Sequence, residues 1–376
     1  MRGQVRLIVK HPRFCMCCKK PRASVIICRS LVVGTHCPMP SPSSSVELQV
    51  KEYRELLTFF PPGISLAFAY GSGAFNQGSV VKKEDNMLDL VFSVHNSSLW
   101  HEENLKINQE HYSALQKFGP RVVTQIQRNY GASVYYNSLV RHRGRLIKYG
   151  VISVDDLIDD LNHWKTLYIS GRLHKPVMMI VKSQDEQLVA ALKANLRHAA
   201  RTALLCLSET FSETEFYVQV AGLSYMGDFR MTFGEDKNKV TNIVFSNLNQ
   251  FRGLYFPVLK ELGLERHEER LQNTNSMEHT VYFKQNLKLR QNLVTALPSH
   301  LKENLMKRLK VKGMKLDSNC ACDIDVSSDI QWAVSSIVNR FSWTQSVKGI
   351  VTAGISKSIR YGAAKVLKMW QSLFRS

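Results

Sequence analysis

A short glycine turn followed by a lone carboxylate is the part of this sequence best suited to chemistry. In LAFAYGSGAFNQGS an alternating apolar run ends at Tyr70 and continues with Gly71, Ser72 and Gly73, and Asp89 then interrupts the apolar run NMLDLVFSV. Backbone N–H groups of a glycine turn can approach a triphosphate, and a serine hydroxyl adds a further donor. The expected nucleotide contacts here are Tyr70, Gly71, Ser72 and Gly73. A carboxylate on a neighbouring strand can hold Mg²⁺ against phosphate oxygens. We therefore predict nucleotidyl transfer, the alternative being a plain turn and an exposed strand carboxylate.

Five further residues are candidates for the same site. Lys148 in LIKYG is expected to neutralise phosphate charge, the alternative being a surface lysine on a strand. Lys175 in RLHKP and Arg230 in YMGDFR are expected to contact anions. Asn137 is either a cytosine or ribose contact or a strand-end amide. Asp228 is either a second metal ligand or a turn residue paired with Arg230.

Periodicity predicts the elements that carry these residues. Alternation over residues 64–70 and the run MLDLVFSV predict two strands, and SVYYNSLVRHRGRLIKYGVIS predicts a hairpin with Lys148 on its second strand. Helical spacing predicts helices over 184–208 and 238–264, and strand-like character returns around Asp228. This mixture predicts an α/β (α+β) fold, while the weak signal over 265–330 assigns no module.

An acidic run opens the predicted helix that starts at Ser153. Asp155 and Asp156 complement the positive end of that helix, and Ser153 with Asp156 forms a capping box. We expect Asp159 and Asp160 to be solvated rather than to bind metal. The cysteine and histidine spacing indicates neither a zinc site nor a disulfide framework nor a catalytic triad.

Charge is concentrated near the start of the chain. The net charge is +19, and residues 1–46 hold eight Lys and Arg and no acid. This segment resembles an organellar transit peptide followed by a Pro/Ser linker. The remainder is still basic, which indicates an anionic partner such as a nucleotide, nucleic acid or membrane. The sequence lacks the interleaved aromatic and basic residues that bind single-stranded nucleic acid. No run of residues is long and apolar enough to predict a membrane span.

The region near residue 360 has the pattern of an amphipathic helix with one basic face. Such a helix lies in an anionic membrane interface, the alternative being a helix docked on the core. The residues expected to contact the membrane are Ile355, Lys357, Ile359, Arg360, Lys365, Val366, Lys368 and Trp370.

Several motifs, in order, resemble one family. AYGSGAFNQGS, NMLDLVFSV, NYGASVYYNSLV, GRLIKYGVIS, YISGRLHKPV, VAGLSYMGDFRM and VKGIVTAGISKSIRYG are similar to the mitochondrial phosphatidate cytidylyltransferases. The resemblance implies a nucleotidyltransferase-type domain and a helical, winged-helix-like domain with the ligand cleft between them. It implies that CTP and phosphatidate give CDP-diacylglycerol and diphosphate for cardiolipin synthesis, at the matrix face of the inner membrane.

The expected organisation follows from motifs and composition together. We predict a transit-like segment over 1–46, a nucleotidyltransferase-type domain over 47–152, a helical domain over 153–330 and a membrane-binding tail over 331–376. A return of residues 216–233 to the cleft stays open. The oligomeric state is not predicted.

Two departures from the general nucleotidyltransferase pattern concern the metal. A second carboxylate usually follows two residues after the first, but here Val91 follows Asp89, and the gap from Ser72 to Asp89 is long. Asp228 is the candidate for the second ligand of the expected Mg²⁺, and Asp85 is a weaker one. The alternative functions are a membrane-peripheral scaffold that supports protein import and nucleotidyl transfer to RNA.

Overall fold

The computed structural model describes residues 44–71, 73–74, 87–231, 238–270, 279–314 and 326–353. All of them belong to one compact unit. The fold is a mixed α/β arrangement, as expected, in which a five-stranded sheet precedes a mainly helical half that contains a small second sheet. The domain boundaries at 152 and 330 remain predictions.

The larger sheet has the strand order β3-β4-β2-β1-β5. Its strands are β1 (Ile64–Tyr70), β2 (Leu88–Val94), β3 (Tyr135–His142), β4 (Arg145–Ser153) and β5 (Met178–Val181). Neighbouring strands are antiparallel except β2 and β4, which run parallel. The two strands and the hairpin predicted from alternation are confirmed.

Helices cover both faces of this sheet and build the second half of the chain. In the described residues they are α1 (Ser44–Leu57), α2 (Ser97–Ile107), α3 (Gly119–Asn129), α4 (Val154–His163), α5 (Glu186–Cys206), α6 (Glu213–Gly222), α7 (Lys239–Ser246), α8 (Leu248–Glu261), α9 (Leu287–Thr295), α10 (Ser299–Val311) and α11 (Val326–Ala353). Side chains of α1 and α2, including Tyr53 and Trp100, pack on one face of the sheet. Side chains of α4 and α5, including Leu157 and Leu188, pack on the other.

The long helix α5 joins the two halves of the molecule. Its first turns pack on the sheet through Leu188 and Ala191, and its last turns pack through Ala199 and Ala203 into the largest apolar cluster. That cluster also holds residues of α6, α8, α10 and α11. The second sheet lies in this half, with β8 (His279–Lys284) between β6 (Thr210–Ser212) and β7 (Arg266–Arg270). Where the structure describes region 265–330, which the sequence left unassigned, it contains β7, β8, α9, α10 and the start of α11.

The prediction of strand-like structure around Asp228 is wrong for the residues that the structure describes. Residues 213–222 form α6, and two short 3₁₀ turns follow at Leu223–Tyr225 and Phe229–Met231. Ser212 caps the N3 amide and Glu215 reaches back to the cap, so helix initiation is favoured. Phe216, Tyr217, Val220 and Ala221 are all fully buried at helical spacing. A run of apolar residues is compatible with both the strand period and the helix period. The capping box is the sequence signal that distinguishes the helix from a strand here.

Helix α11 is tied to the edge of the larger sheet by side chains that bond to backbone. The Gln345 side chain accepts from the Ala132 amide at 2.9 Å and donates to the Val134 carbonyl at 3.3 Å. The Lys348 ammonium donates to the carbonyls of Gln127 and Tyr130 at the end of α3. Burial lowers the pKa of Lys348 to about 7. None of the described helices is long and apolar enough to cross a bilayer.

Candidate functional site

Three neighbouring strands place three predicted site residues in one row. Tyr70 on β1 is the register partner of Asp89 on β2, and Asp89 is the partner of Lys148 on β4. Lys148 Nζ lies 3.9 Å from Asp89 Oδ1. Both side chains are largely covered but keep contact with solvent. The row lies on the sheet face opposite the cluster that contains Leu88 and Leu90, because side chains alternate along a strand.

The glycine turn begins where this row ends. Gly71 has a φ of +76°, and its carbonyl accepts from the Ala74 amide at 3.1 Å. A Cβ added to Gly73 would lie 2.4 Å from the Met87 carbonyl oxygen, so only glycine permits the turn to pass β2 this closely. A Cβ on Gly71 would lie 3.7 Å from Asp89 Oδ2. The predicted turn therefore lies beside the predicted carboxylate, while Ser72 and Asp85 are outside the described residues.

The hairpin adds an aromatic ring to the row. Lys148 Nζ lies 4.7 Å from the centroid of the Tyr136 ring. The ring takes this place because Gly150 has no side chain, since a Cβ there would lie 2.6 Å from Tyr136 Cε1. Tyr136 and Tyr70 approach each other through their hydroxyls at 3.4 Å. Aromatic faces attract a cation while leaving its charge available to an anion.

Arg172, in the motif YISGRLHKPV, was not among the predicted site residues. Its guanidinium carbon is 3.9 Å from the centroid of the Tyr168 ring and 5.2 Å from that of Tyr70. Arg172 Nη1 donates a hydrogen bond to the Tyr168 carbonyl. Among the residues that the structure describes, no carboxylate forms an ion pair with Arg172. The signal was present, because the motif contains two basic residues near glycine and tyrosine.

Tyr168 has an unusual acidity for a tyrosine. Burial acts to raise its pKa, but the nearby cations Arg172, Arg230 and Lys148 outweigh burial and lower the pKa to about 8. Burial dominates at Tyr70 and raises the pKa of that hydroxyl well above its usual value. The opposite directions locate the concentrated positive charge next to Tyr168. Arg230 is one of the three cations that lower the pKa of Tyr168.

The loop that carries Tyr168 and Arg172 is organised by a buried carboxylate. Asp160 Oδ1 accepts from the Thr166 amide at 2.7 Å, the Thr166 hydroxyl at 2.8 Å and the Leu167 amide at 3.0 Å, and its Oδ2 accepts from the Ser170 amide at 3.0 Å. The prediction that Asp160 is solvated is wrong, because only 3% of it is exposed. Asp160 lies one helical turn after Leu157 and shares its buried face.

A buried amide holds the same loop from its other side. Asn195 Oδ1 accepts from Trp164 Nε1 at 2.9 Å and bonds His174 Nε2 at 3.1 Å. Asn195 Nδ2 donates to the Ser170 carbonyl at 3.0 Å. Burial lowers the pKa of His174 to about 3, so its ring is neutral at physiological pH and donates to the amide oxygen. Asp160 and Asn195 together fix residues 164–175, which we call the basic loop.

Lys175 ends the basic loop and faces the helical half. Its ammonium donates to the Gly171 carbonyl at 2.6 Å and to the Ser224 hydroxyl at 2.7 Å, and it lies 4.9 Å from the Tyr225 ring centroid. Burial, together with the cations Arg172 and Lys239, holds the pKa of Lys175 well below its usual value. The structure thus brings predicted Lys175 next to Arg172.

Asp228 and Arg230 form a close ion pair. Arg230 Nε lies 2.9 Å and 3.1 Å from the two carboxylate oxygens of Asp228, which is buried. This geometry is the turn pairing that the sequence left as an alternative to metal binding. No cluster of three or more potential metal ligands occurs among the described side chains.

Asn137 is not brought to this group. It is the register partner of Tyr149 on β4, and its Nδ2 donates to the Tyr149 hydroxyl at 2.8 Å. Asn137 is 1% exposed, and the Tyr149 ring belongs to the apolar cluster on the face opposite Lys148. The position matches a buried structural amide. The membrane-binding residues predicted over 355–370 lie outside the described residues.

The donor set fits magnesium bound together with a phosphate ligand. Asp89 offers carboxylate oxygens beside a turn where Gly71 leaves open approach. Mg²⁺ takes oxygen ligands and is often bound through one or two carboxylates plus substrate phosphates and water. One carboxylate beside a glycine turn, with Lys148 3.9 Å away, therefore fits a magnesium ion that takes its other ligands from phosphate and water.

Comparisons with known proteins identify a family that this chain resembles over most of its length. Residues 53–368 match the family model described as phosphatidate cytidylyltransferase, mitochondrial. Proteins of that name are 45% identical in Xenopus laevis, over 86% of this chain and 96% of the relative, and 46% identical in Danio rerio, over 85% and 94%. The Dictyostelium discoideum protein is 36% identical, over 84% of this chain and 83% of its own.

Proposed function

This chain belongs to the mitochondrial phosphatidate cytidylyltransferase family, and we propose that Tyr70, Asp89 and Lys148 beside the glycine turn form its cytidylyl-transfer site. The observation that carries this proposal is the strand register, which aligns carboxylate, lysine and turn on one face of the sheet. CTP and phosphatidate react to give CDP-diacylglycerol and diphosphate. The scaffold and RNA alternatives gain no support from relatives that are named as this enzyme.

The chemistry is a displacement at phosphorus. An oxygen of the phosphatidate phosphate forms a bond to the α-phosphorus of CTP. The bond from that phosphorus to the oxygen bridging to the β-phosphate breaks, and its electron pair leaves with diphosphate. The attacking phosphate is already anionic near neutral pH, so no protein nucleophile is needed. Catalysis by the chain consists of positioning and charge neutralisation.

Each group of residues has a distinct task in this scheme. The N–H groups of the Gly71–Gly73 turn, with the Ser72 hydroxyl, hold the β- and γ-phosphates of CTP. Lys148 neutralises charge that builds on the transferred phosphate, and its contact with the Tyr136 ring keeps the ammonium extended toward the nucleotide. Arg172 is added from the structure as an anion contact, because it is near the same tyrosines and has no carboxylate partner in the described part of the chain.

Asp89 would hold Mg²⁺, which when bound neutralises phosphate oxygens and orients the triphosphate. The remaining ligands are expected to be phosphate oxygens and water. Asp228 acts by positioning Arg230, because their ion pair fixes the guanidinium near Tyr168. This assignment gives Asp228 a positioning task in place of the second metal ligand that its sequence context left open.

The relatives are named as mitochondrial proteins, and we propose that this chain acts at the matrix face of the inner membrane. Phosphatidate is delivered from the bilayer, so the enzyme must lie at its surface. The basic amphipathic pattern over 355–370 supports this location. Anionic lipids are the expected partner of that segment.

The test is transfer of label from CTP to lipid. The full chain is incubated with CTP labelled on its α-phosphate, MgCl₂ and vesicles containing phosphatidate and cardiolipin. The unaltered chain is expected to produce labelled lipid, and Asp89→Ala is expected to lower the rate by at least about 10³-fold. Asp159→Ala is the matched control, because it removes an exposed carboxylate from α4. Excess EDTA is expected to stop transfer.

Two results would overturn parts of this proposal. A folded, vesicle-bound chain that transfers no label contradicts the enzyme assignment and favours the scaffold. Undiminished transfer by Asp89→Ala contradicts the site assignment while leaving the reaction intact.

A further inference from the structure

The cations around the site differ in whether a carboxylate accompanies them. Lys148 lies beside Asp89, and Arg230 is paired with Asp228. Within the described residues, neither Arg172 nor Lys175 forms an ion pair with a carboxylate. Clustered like charges that are partly removed from water repel each other and lose hydration, so they destabilise the fold without a counter-anion. This pair of cations is therefore suited to bind anions from outside the chain.

Arg172 and Lys175 face different sides of the basic loop. Arg172 is over the rings of Tyr70 and Tyr168, next to the row that contains Asp89. Lys175 faces Tyr225, and Lys239 of α7 lies 5.3 Å from the centroid of that same ring. Two ammonium groups thus lie within 5.3 Å of the centroid of one aromatic ring. Contact with the face of the ring favours an ammonium group at each of these two positions.

The geometry of this second group is fixed by close packing. Gly171 passes so near to Ser224 that a Cβ on it would lie 2.5 Å from Ser224 Cβ. Lys175 is bonded to both residues, through the Gly171 carbonyl and the Ser224 hydroxyl. The basic loop and the turn that contains Tyr225 are therefore joined at one point. A binding group held this way is preorganised for its ligand.

An exposed apolar face begins a few residues after Tyr225. Phe229 stacks on Trp343 of α11 with ring centroids 4.2 Å apart. Trp343 is half exposed, and so are Val347, Ile350 and Val351 on the same helix. Their spacing places them on one side of α11. The chain thus connects a pair of ammonium groups to an apolar surface, which is the combination that a phosphate carrying acyl chains requires.

We infer that Lys175, Lys239 and Tyr225 form the subsite for the phosphomonoester of the acceptor lipid, with Arg172 between it and the CTP phosphates. The inference rests on the proposed function and extends it, because it separates the acceptor position from the nucleotide position. A phosphomonoester carries up to two negative charges and accepts from two ammonium groups at once. A phosphodiester lipid carries one charge and matches this pair less well. The acyl chains extend toward Phe229 and Trp343.

The experiment separates the two substrates. Rates are measured with the full chain at varied dihexanoyl phosphatidate, a short-chain lipid that avoids differences in vesicle binding, and at varied CTP. CTP affinity is measured separately by calorimetry without lipid. Lys175→Gln and Lys239→Gln are each expected to raise the KM for phosphatidate about tenfold or more, because each removes a charge-assisted contact. The dissociation constant for CTP is expected to change less than about twofold. Tyr225→Leu is a third variant, which removes only the shared ring.

Controls and opposite outcomes keep the inference falsifiable. Lys260→Gln changes an exposed lysine on α8 and is expected to leave both constants unchanged. Glycerol 3-phosphate is expected to compete with phosphatidate in the unaltered chain and at least tenfold more weakly in Lys239→Gln, whereas dimethyl phosphate should not compete. A weaker CTP affinity with an unchanged KM for phosphatidate would assign the lysines to the nucleotide and overturn the inference. If Lys175→Gln fails to fold, the KM for phosphatidate and the CTP affinity of Lys239→Gln and Tyr225→Leu test the inference instead. An unaltered chain that makes no CDP-diacylglycerol refutes the proposed function instead.

Discussion

The row of Tyr70, Asp89 and Lys148 and the basic loop both contribute residues to the proposed site, but they are held in place differently. Tyr70, Asp89 and Lys148 are positioned by backbone hydrogen bonds between β1, β2 and β4, so their spacing follows from strand register. Arg172 and Lys175 are positioned by two buried polar side chains, Asp160 and Asn195, that bond to loop backbone and side chains. The spacing of the row therefore depends on backbone pairing, whereas the conformation of the loop depends on two side chains.

The largest expected difference between the two regions is in folding stability. Asp160→Ala leaves three backbone amides and a hydroxyl without their acceptor, and we expect a loss of about 3 kcal/mol or more in the free energy of unfolding. Asp159→Ala, one residue earlier, removes an exposed ion pair with Lys165 and should cost less than about 1 kcal/mol. Urea unfolding of both variants measures the contrast. Equal losses would show that Asp160 does not hold the basic loop.

A smaller effect is expected from a change beneath the strand row. Gly150→Ala places a Cβ against the Tyr136 ring, which must move away from Lys148. We expect a loss of about 2 kcal/mol in stability, typical of overpacking, and a lower rate at saturating CTP. Gly222→Ala is the control, because a Cβ there meets no atom within 4 Å. If Gly150→Ala keeps full activity, the place of the Tyr136 ring has no bearing on the row.

The smallest expected effect is a pH dependence of CTP affinity that arises in the basic loop and not in the row on the sheet. Tyr168 has a pKa of about 8, so it becomes negatively charged as the pH rises through that value. A tyrosinate beside Arg172 competes with phosphate for the guanidinium, and CTP affinity should fall about fivefold between pH 7 and pH 9. Tyr168→Phe should remove most of this fall, as measured by calorimetry. An identical pH profile in both proteins would separate Tyr168 from the nucleotide.

The sequence predicted the strands of the sheet well and the basic loop poorly. Alternating apolar residues predicted β1, β2 and the hairpin, and with them the row of Tyr70, Asp89 and Lys148. The basic loop has no period, and its shape depends on hydrogen bonds to Asp160 and to Asn195, which lies 25 residues beyond Ser170 in the chain. Asp160 also sits in a run of acids where its neighbour Asp159 is exposed, so composition alone could not separate them. Only its place on the buried face of α4 distinguishes it.

The contacts of α11 with the sheet edge have a consequence for the order of assembly. Gln345 satisfies the Ala132 amide across 213 residues of chain, just before the edge strand β3. During synthesis at about 5–20 residues per second, this edge waits roughly 10–40 s for the helix that completes it. Until then the backbone around Ala132 and the Val134 carbonyl are open to other partners. Before α11 is made, the exposed edge of the sheet is thus the part of the chain that a chaperone binding strand edges would protect most.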